Sequence, residues 1–292
     1  MNIKIGVSTW LWSSPFTTES ISVFAKIKDM GFEAVEIPVE YPELIDAAIV
    51  KEALDRHQLL PVVCGAFGPT RDLTHEDPSV HQNCFQYIFD CFALCNAWDA
   101  KFLAGPMYSA VGKARMLPPA ARKIEWERAV KNLRIVCRRA HELGLMIAIE
   151  PLNRFESDLV NTAADVVRLV NEVDHPAANV LLDSFHMGLE EVDLERAIEE
   201  VGTKLIHVQV SENNRGIPGS GLTPWDTFRK GLEKVNYQGV VSIESFTPEI
   251  KELAGAVSIW RNFAKTQDDF AMKGIKFLKE LLKAPSYEHK KN

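Results

Sequence analysis

Cysteine is scarce in this chain: five among 292 residues, at Cys64, Cys84, Cys91, Cys95 and Cys137. The number is odd and no C-x-x-C pair occurs. That excludes a disulfide framework and a paired-cysteine zinc ribbon, and the thiols read as reduced in an intracellular protein. Cys91 and Cys95 stand one helical turn apart in an apolar helical pattern, which suits a packed face better than a metal site. Positive charge is short as well, with 33 Lys and Arg against 40 Asp and Glu for a net charge of −7. Nucleic acid and anionic lipid both need a basic face, so neither is an expected partner. No run of about 18 apolar residues exists, and nothing is expected to span a membrane. The N-terminal MNIKIGVSTW lacks the charged leader and apolar run of a signal peptide. A cytoplasmic protein is the expectation. No G-x-G-x-x-G turn occurs anywhere, which argues against an open dinucleotide-binding sheet. No low-complexity linker divides the chain, so residues 1–292 are expected to form one domain, with 283–292 as a flexible tail.

What is present is a large apolar fraction, 46%, beside 25% charged residues, as a chain with a sizeable core requires. Short β-branched runs fall at Ile3–Ser8, Ala34–Pro38, Leu60–Gly65, Ala100–Ala104, Met146–Glu150, Val180–Asp183, Leu205–Val210 and Val240–Glu244. Segments of helical period separate and follow them: Ser20–Met30, Leu44–His57, Val80–Asn96, Pro119–Leu143, Thr162–Val173, Leu194–Val201, Pro224–Val235 and Val257–Leu282. Gly31, Gly144 and Gly239 stand before strands, where a helix-terminating glycine belongs. Strict alternation of strand and helix implies parallel pairing with right-handed crossovers. Eight such units predict an α/β fold of the (β/α)8 TIM-barrel type, with the open doubly wound sheet as the alternative.

Four of the predicted strands end on a metal-seeking side chain: Glu150, Asp183, Gln209 and Glu244. They recur about 25–35 residues apart, the repeat of a βα unit. An unpaired charge at the end of a buried strand is costly, so such groups are paired, protonated or bound to a cation. Strand ends on one barrel face lie close enough to share one ion. Each group also has a plain reading: Glu150 as a salt bridge across the mouth, Asp183 as the cap of the next helix. His207 and Gln209 are two apart, project to the same side, and one of them is expected to face the ion. Gln209 is taken as the ligand, and His207, deeper in the strand, is the alternative. His186 follows Asp183 by one turn and is expected to donate to substrate. Arg215, in the loop 211–219, is expected to orient substrate oxygens. Glu156, on the loop after Glu150, is expected to hold a substrate hydroxyl. Trp10, Trp12 and Phe67 follow the first and third strands and either line a sugar pocket or pack as a lid. With mostly oxygen ligands, Mn2+ is the expected metal, Mg2+ or Co2+ the alternatives, and Zn2+ is disfavoured.

The segments Glu150-Pro-Leu-Asn-Arg-Phe-Glu156, Asp183-Ser-Phe-His-Met187 and Ser211-Glu-Asn-Asn-Arg215 resemble the ketose 3-epimerases of the tagatose/psicose type. These belong to the wider xylose isomerase-like sugar isomerase and epimerase superfamily. The similarity extends to Cys64-Gly65 and to Gly105-Pro-Met-Tyr-Ser109. The resemblance implies a metal held by Glu150, Asp183, the seventh-strand position and Glu244. It makes Glu150 and Glu244 an acid/base pair that moves a proton beside a ketose carbonyl through an enediolate, and has Glu156, His186 and Arg215 hold O1 and O2. One position departs: Gln209 stands where the family places a histidine. That departure keeps two alternatives open, a lyase or dehydratase acting on a keto-sugar, keto-inositol or 3-keto-glycoside, and a non-catalytic sugar-binding subunit. The partner expected is a small sugar or sugar derivative, and a homo-oligomer is expected by analogy with other barrel enzymes.

Overall fold

A computed structural model describes residues 2–283. Eight strands form in the expected order: β1 (Lys4–Ser8), β2 (Ala34–Val39), β3 (Leu60–Gly65), β4 (Phe102–Gly105), β5 (Met146–Ile149), β6 (Ala178–Asp183), β7 (Leu205–Val210) and β8 (Val240–Ile243). Each boundary lies within two residues of the one read from the sequence. All pairs are parallel, and β8 closes onto β1 through the register Lys4↔Val240 to Val7↔Ile243. The result is a single-domain TIM barrel, ringed by helices.

The helices are α1 (Phe24–Asp29), α2 (Ala47–His57), α3 (Pro78–Trp98), α4 (Pro119–Glu142), α5 (Ala163–Val173), α6 (Ser184–Glu190), α7 (Leu194–Val201), α8 (Trp225–Lys234), α9 (Lys251–Ala256) and α10 (Gln267–Lys283). Side-chain caps fix several starts. Asp46 accepts from the N–H groups of Ala48 and Ile49, Asp77 from that of Ser79, and Thr162 from that of Asp165. The segment read as Ser20–Met30 opens as a 3-10 turn over Thr18–Val23 and becomes α-helical only at Phe24.

Two stretches differ from the sequence reading. The segment Val257–Leu282 is not one helix, because α10 begins only at Gln267, next to the Thr266 hydroxyl that accepts from Asp269 N–H. Residues 257–266 instead run as irregular chain over the barrel mouth, preceded by the short α9. Helix α6 was not expected; it starts directly at the end of β6, capped by Asp183. Of the tail expected at 283–292, Lys283 closes α10 and residues 284–292 lie outside the described residues.

The main core lies between barrel and helices. Inside the barrel the apolar layer is small: Val62, Cys64, Ala104, Ala148 and Leu181. Polar side chains share the interior with it: Glu36 from β2 and His207 and Gln209 from β7, each at most 1% exposed. All five cysteines are buried free thiols. At the end of β4, Gly105 has φ +128, and a Cβ there would sit 3.0 Å from the Gly65 carbonyl oxygen, so only glycine fits.

Candidate active site

The C-terminal ends of β5 to β8 bring the expected side chains together. Glu150 and Glu244 immediately follow β5 and β8, tied down by their own N–H groups donating to Gly105 O (3.2 Å) and Val210 O (3.0 Å). Asp183 ends β6, and its register partner on β7 is Gln209. All four are buried. Asp183 has two tasks: Oδ1 accepts from Phe185 N–H and caps α6, while Oδ2 faces the site. The cap and ligand readings of Asp183 are therefore compatible.

Arg215 occupies the centre. Its Nη1 donates to Asp183 Oδ2 at 2.5 Å and to Glu244 Oε2 at 2.9 Å. Its guanidinium lies 4.0 Å from the Phe185 ring and 5.2 Å from the Phe246 ring. The backbone at Arg215 is left-handed, φ +63, in a turn whose Arg215 N–H donates to Glu212 O and whose carbonyl accepts from Ser245 Oγ. A non-glycine residue held at positive φ marks a place where position outweighs local strain. Burial works against the charge of Arg215, but Asp183 and Glu244 outweigh it and keep it firmly protonated. Burial, then the charges of Glu244 and Asp183, push Glu150 well above the ordinary carboxylate range. Glu244 is also pushed up, by burial and by Asp183 and Glu36, although Arg215 pulls the other way.

His186 stands between the carboxylates and the loop after β5. Its Nδ1 accepts the backbone N–H of Asn153 at 3.0 Å. Nε2 lies 3.2 Å from the Arg215 Nη2 donor, 3.5 Å from Glu150 Oε1 and 3.8 Å from Asp183 Oδ2, and the neutral ring carries its single proton on one of its two nitrogens. Burial and then Arg215 lower its pKa and favour that neutral form. Asn153 also donates from Nδ2 to Glu156 Oε1 at 2.7 Å, placing Glu156 at the half-buried edge of the cleft.

Gln209 points its amide nitrogen at two carboxylates, Glu36 Oε1 (2.8 Å) and Glu244 Oε1 (2.9 Å), and its buried Oε1 has no hydrogen-bond partner. His207 is grouped with Glu36 and Cys64, apart from Glu150 and Asp183. Its Nε2 is 2.7 Å from Glu36 Oε2, deep in the barrel against the Phe102 ring. Two sets of donor atoms fall within 4.8 Å of one another: Glu150, Asp183 and His186 at the mouth, and Glu36, Cys64 and His207 below. In the lower set, His207 Nε2 and the Gln209 N–H bond both Glu36 oxygens, while His207 Nδ1 is buried without a partner.

The mouth set is richer in carboxylates. Among the described residues, Glu150, Asp183 and Glu244 are buried around one guanidinium, and the Gln209 amide oxygen is buried without a partner. Excess buried negative charge with an orphan oxygen donor fits a hard divalent cation. The chain thus presents metal-ligating groups suited to the cofactor expected.

The cleft above has a volume of about 1220 Å³, and its lining includes Trp10, Phe67, Glu156, His186, Phe246 and Trp260. Trp12 is not part of it. Its Nε1 donates to Asp268 Oδ1 at 2.7 Å beneath Lys26, so it anchors α10 and contributes no sugar-facing surface. Sequence reasoning also passed over Glu36 and Asn153. The signal for Glu36 was a lone carboxylate amid the apolar residues of AVEIPV; for Asn153 there was none beyond its place in the loop.

Barrel and site define the class, and the chain belongs to the xylose isomerase-like TIM barrel family, whose model matches residues 24–281. Over 278 residues it is 32% identical to the "Probable ketose 3-epimerase" of Synechocystis sp., covering 95% of this chain and 96% of that one. It is 30% identical over 288 residues to the ketose 3-epimerase of Arthrobacter globiformis, covering 97% and 98%. The crystal structure of the Methylomonas sp. D-allulose 3-epimerase in complex with D-allulose superposes with a TM-score of 0.89 at 26% identity, covering 96% of this chain and 97% of that one. The chain is an enzyme of this epimerase group. The lyase alternative finds no support among these relatives, and the non-catalytic reading falls with it. No helix among the described residues is long and apolar enough to cross a membrane.

Proposed function

We propose that the chain epimerises a free ketose at the carbon beside its carbonyl, with a divalent metal, Mn2+ before Mg2+ or Co2+, at the ends of β5 to β8. The observation that carries this reading is the buried group at the mouth: Glu150, Asp183 and His186 with donor atoms within 4.8 Å of one another, Glu244 sharing the Arg215 guanidinium with Asp183, and Gln209 with an unpartnered buried oxygen. Those four residues would hold the metal. When bound, it would supply Lewis acidity that makes the C–H beside a carbonyl easier to ionise.

The chain's own groups do the rest. Glu150 and Glu244 form the acid/base pair: one takes the C3 proton, leaving the enediolate of the sugar, and the other returns a proton to the opposite face. No bond to carbon other than C–H is made or broken, and no electron acceptor is needed. Two carboxylates at the ends of different strands suit such a proton exchange. Arg215 and His186 donate to O1 and O2 and favour the oxyanion. Glu156 accepts from a neighbouring hydroxyl, and Asn153 holds both His186 and Glu156 in place.

The test is incubation with Mn2+ and a panel of ketoses, D-allulose, D-tagatose and D-fructose among them, in D2O. Deuterium at C3 with formation of the C3 epimer is expected. Absence of C3 deuterium from every ketose would sink the proposal. The five buried thiols suit a reducing compartment, and we place the enzyme in the cytoplasm. The expectation of a homo-oligomer is tested on the same preparation by sedimentation.

A further inference from the structure

A primary amide offers a site either an oxygen or an N–H, and its remaining contacts decide which. At Gln209 that decision is made by carboxylates. Glu36, reaching in from β2, accepts one N–H at 2.8 Å, and Glu244 accepts the other at 2.9 Å. Both hydrogens are thereby used. The reversed amide would press Oε1 against the same two carboxylate oxygens, an arrangement with no hydrogen bond and with like partial charges in contact. Glu36 cannot turn aside, because its other oxygen is held by His207 Nε2 at 2.7 Å in a place with no solvent exposure. What remains for the site is Gln209 Oε1, buried and without a partner.

Resting on the metal-site reading above, we infer that Glu36 is a positioning residue for the metal: by fixing the Gln209 amide it presents Oε1 as a ready-made ligand and so strengthens cation binding. An amide ligates through its oxygen alone, so the preference for Mn2+ and Mg2+ comes from Gln209 itself, where an imidazole nitrogen would suit Zn2+ and Co2+. Glu36 acts through Gln209, and its consequence is affinity.

The experiment is calorimetric titration of EDTA-stripped full-length protein with Mn2+ and with Zn2+, for the wild type, Gln209→His, Glu36→Met, Glu36→Gln, and Glu36→Met in a Gln209→Ala background. Gln209→His is expected to raise the Zn2+ to Mn2+ affinity ratio by about tenfold or more. Glu36→Met is expected to lower Mn2+ affinity by about 10–100-fold, the usual loss when a partner behind a ligand is removed. Glu36→Gln keeps an acceptor for the Gln209 N–H and is expected to keep most of the Mn2+ affinity, which a role limited to charge pairing with His207 would not allow. In the Gln209→Ala background, Glu36→Met is expected to change Mn2+ affinity little. If Glu36→Met does not fold, Glu36→Gln decides, and loss of most of its Mn2+ affinity would overturn the role of Glu36. An Mn2+ affinity in Glu36→Met equal to that of the wild type would likewise overturn it and leave the metal site standing. Failure of the wild type to bind any divalent cation would overturn both.

Discussion

Replacing Arg215 by Met keeps a long side chain against Phe185 and Phe246 and deletes the guanidinium. In metal-free protein, Asp183 and Glu244 then lose the partner that lies 2.5 and 2.9 Å away. Breaking a buried ion pair on one side costs about 3–5 kcal/mol. The two losses do not simply add, because both carboxylates share one cation. Burial already pushes Glu244 and Glu150 towards protonation, which sets a ceiling on the penalty. At about 2–4 °C per kcal/mol for a chain of this size, the melting temperature in EDTA falls by about 6–20 °C. A cation bound by the same carboxylates takes over part of the missing charge. Mn2+ at about 100 times its dissociation constant returns about 2.7 kcal/mol by mass action. The assay is thermal unfolding of wild type and Arg215→Met near pH 8, in EDTA and in Mn2+. The gap between the proteins must be large in EDTA and smaller in Mn2+. Equal melting temperatures in EDTA, or a gap indifferent to Mn2+, would refute the claim that Arg215 and the metal answer the same buried charge.

The pH dependence follows from the same groups. Glu150 and Glu244 have native pKa values raised above 4.5, so above that pH the native state keeps protons that the unfolded chain has lost. Their favourable contribution is complete below the unfolded value and is lost as pH rises through the native values. In EDTA the melting temperature should therefore decline as pH rises above 4.5, relative to the Mn2+-loaded enzyme, and a rise in that difference would contradict the assignment. Glu150→Gln and Glu244→Gln are each expected to lower kcat by about 10²–10⁴-fold, measured with the ketose that exchanges best, while Glu156→Gln acts mainly on KM. Gly105→Ala, forced to φ +128 with its Cβ 3.0 Å from Gly65 O, should lose about 1–3 kcal/mol in urea unfolding.

Much of this architecture is legible in the sequence for a simple reason. A strand buried on both faces needs a largely apolar, β-branched run, and in β6 and β8 a carboxylate stands where the strand reaches the mouth. Runs such as VLLD and VVSIE therefore report both a strand and its end. The segment after Val257 misled because its apolar residues keep a helical count while Ser258, Asn262 and Thr266 offer local hydrogen bonds that favour turns. Helix α6 was hidden because its first residues directly follow a strand, and the cap that starts it is the same Asp183 that faces the site. Trp12 stood after a strand as Trp10 does, but the 3-10 turn over Thr9–Leu11 sends the two rings to different neighbours, Glu40 for Trp10 and Asp268 for Trp12.

Glu36 shows where local reading ends. In an ordinary half-exposed strand, a carboxylate among apolar residues marks the solvent face, and AVEIPV reads that way. Only closure of the sheet puts that face inside, and only then does Glu36 meet Gln209, 173 positions along the chain. The departure at Gln209 is visible in one strand, but its meaning depends on a residue across the barrel. An amide free to rotate must be ordered before its oxygen can ligate a cation. Pinned between Glu36 and Glu244 it becomes a directed oxygen donor, at the expense of placing another buried carboxylate beneath a site already rich in them. That charge does nothing for folding, since an apolar side chain would fill the space at lower cost. Its retention makes physical sense if the cation it helps to hold is bound whenever the enzyme works.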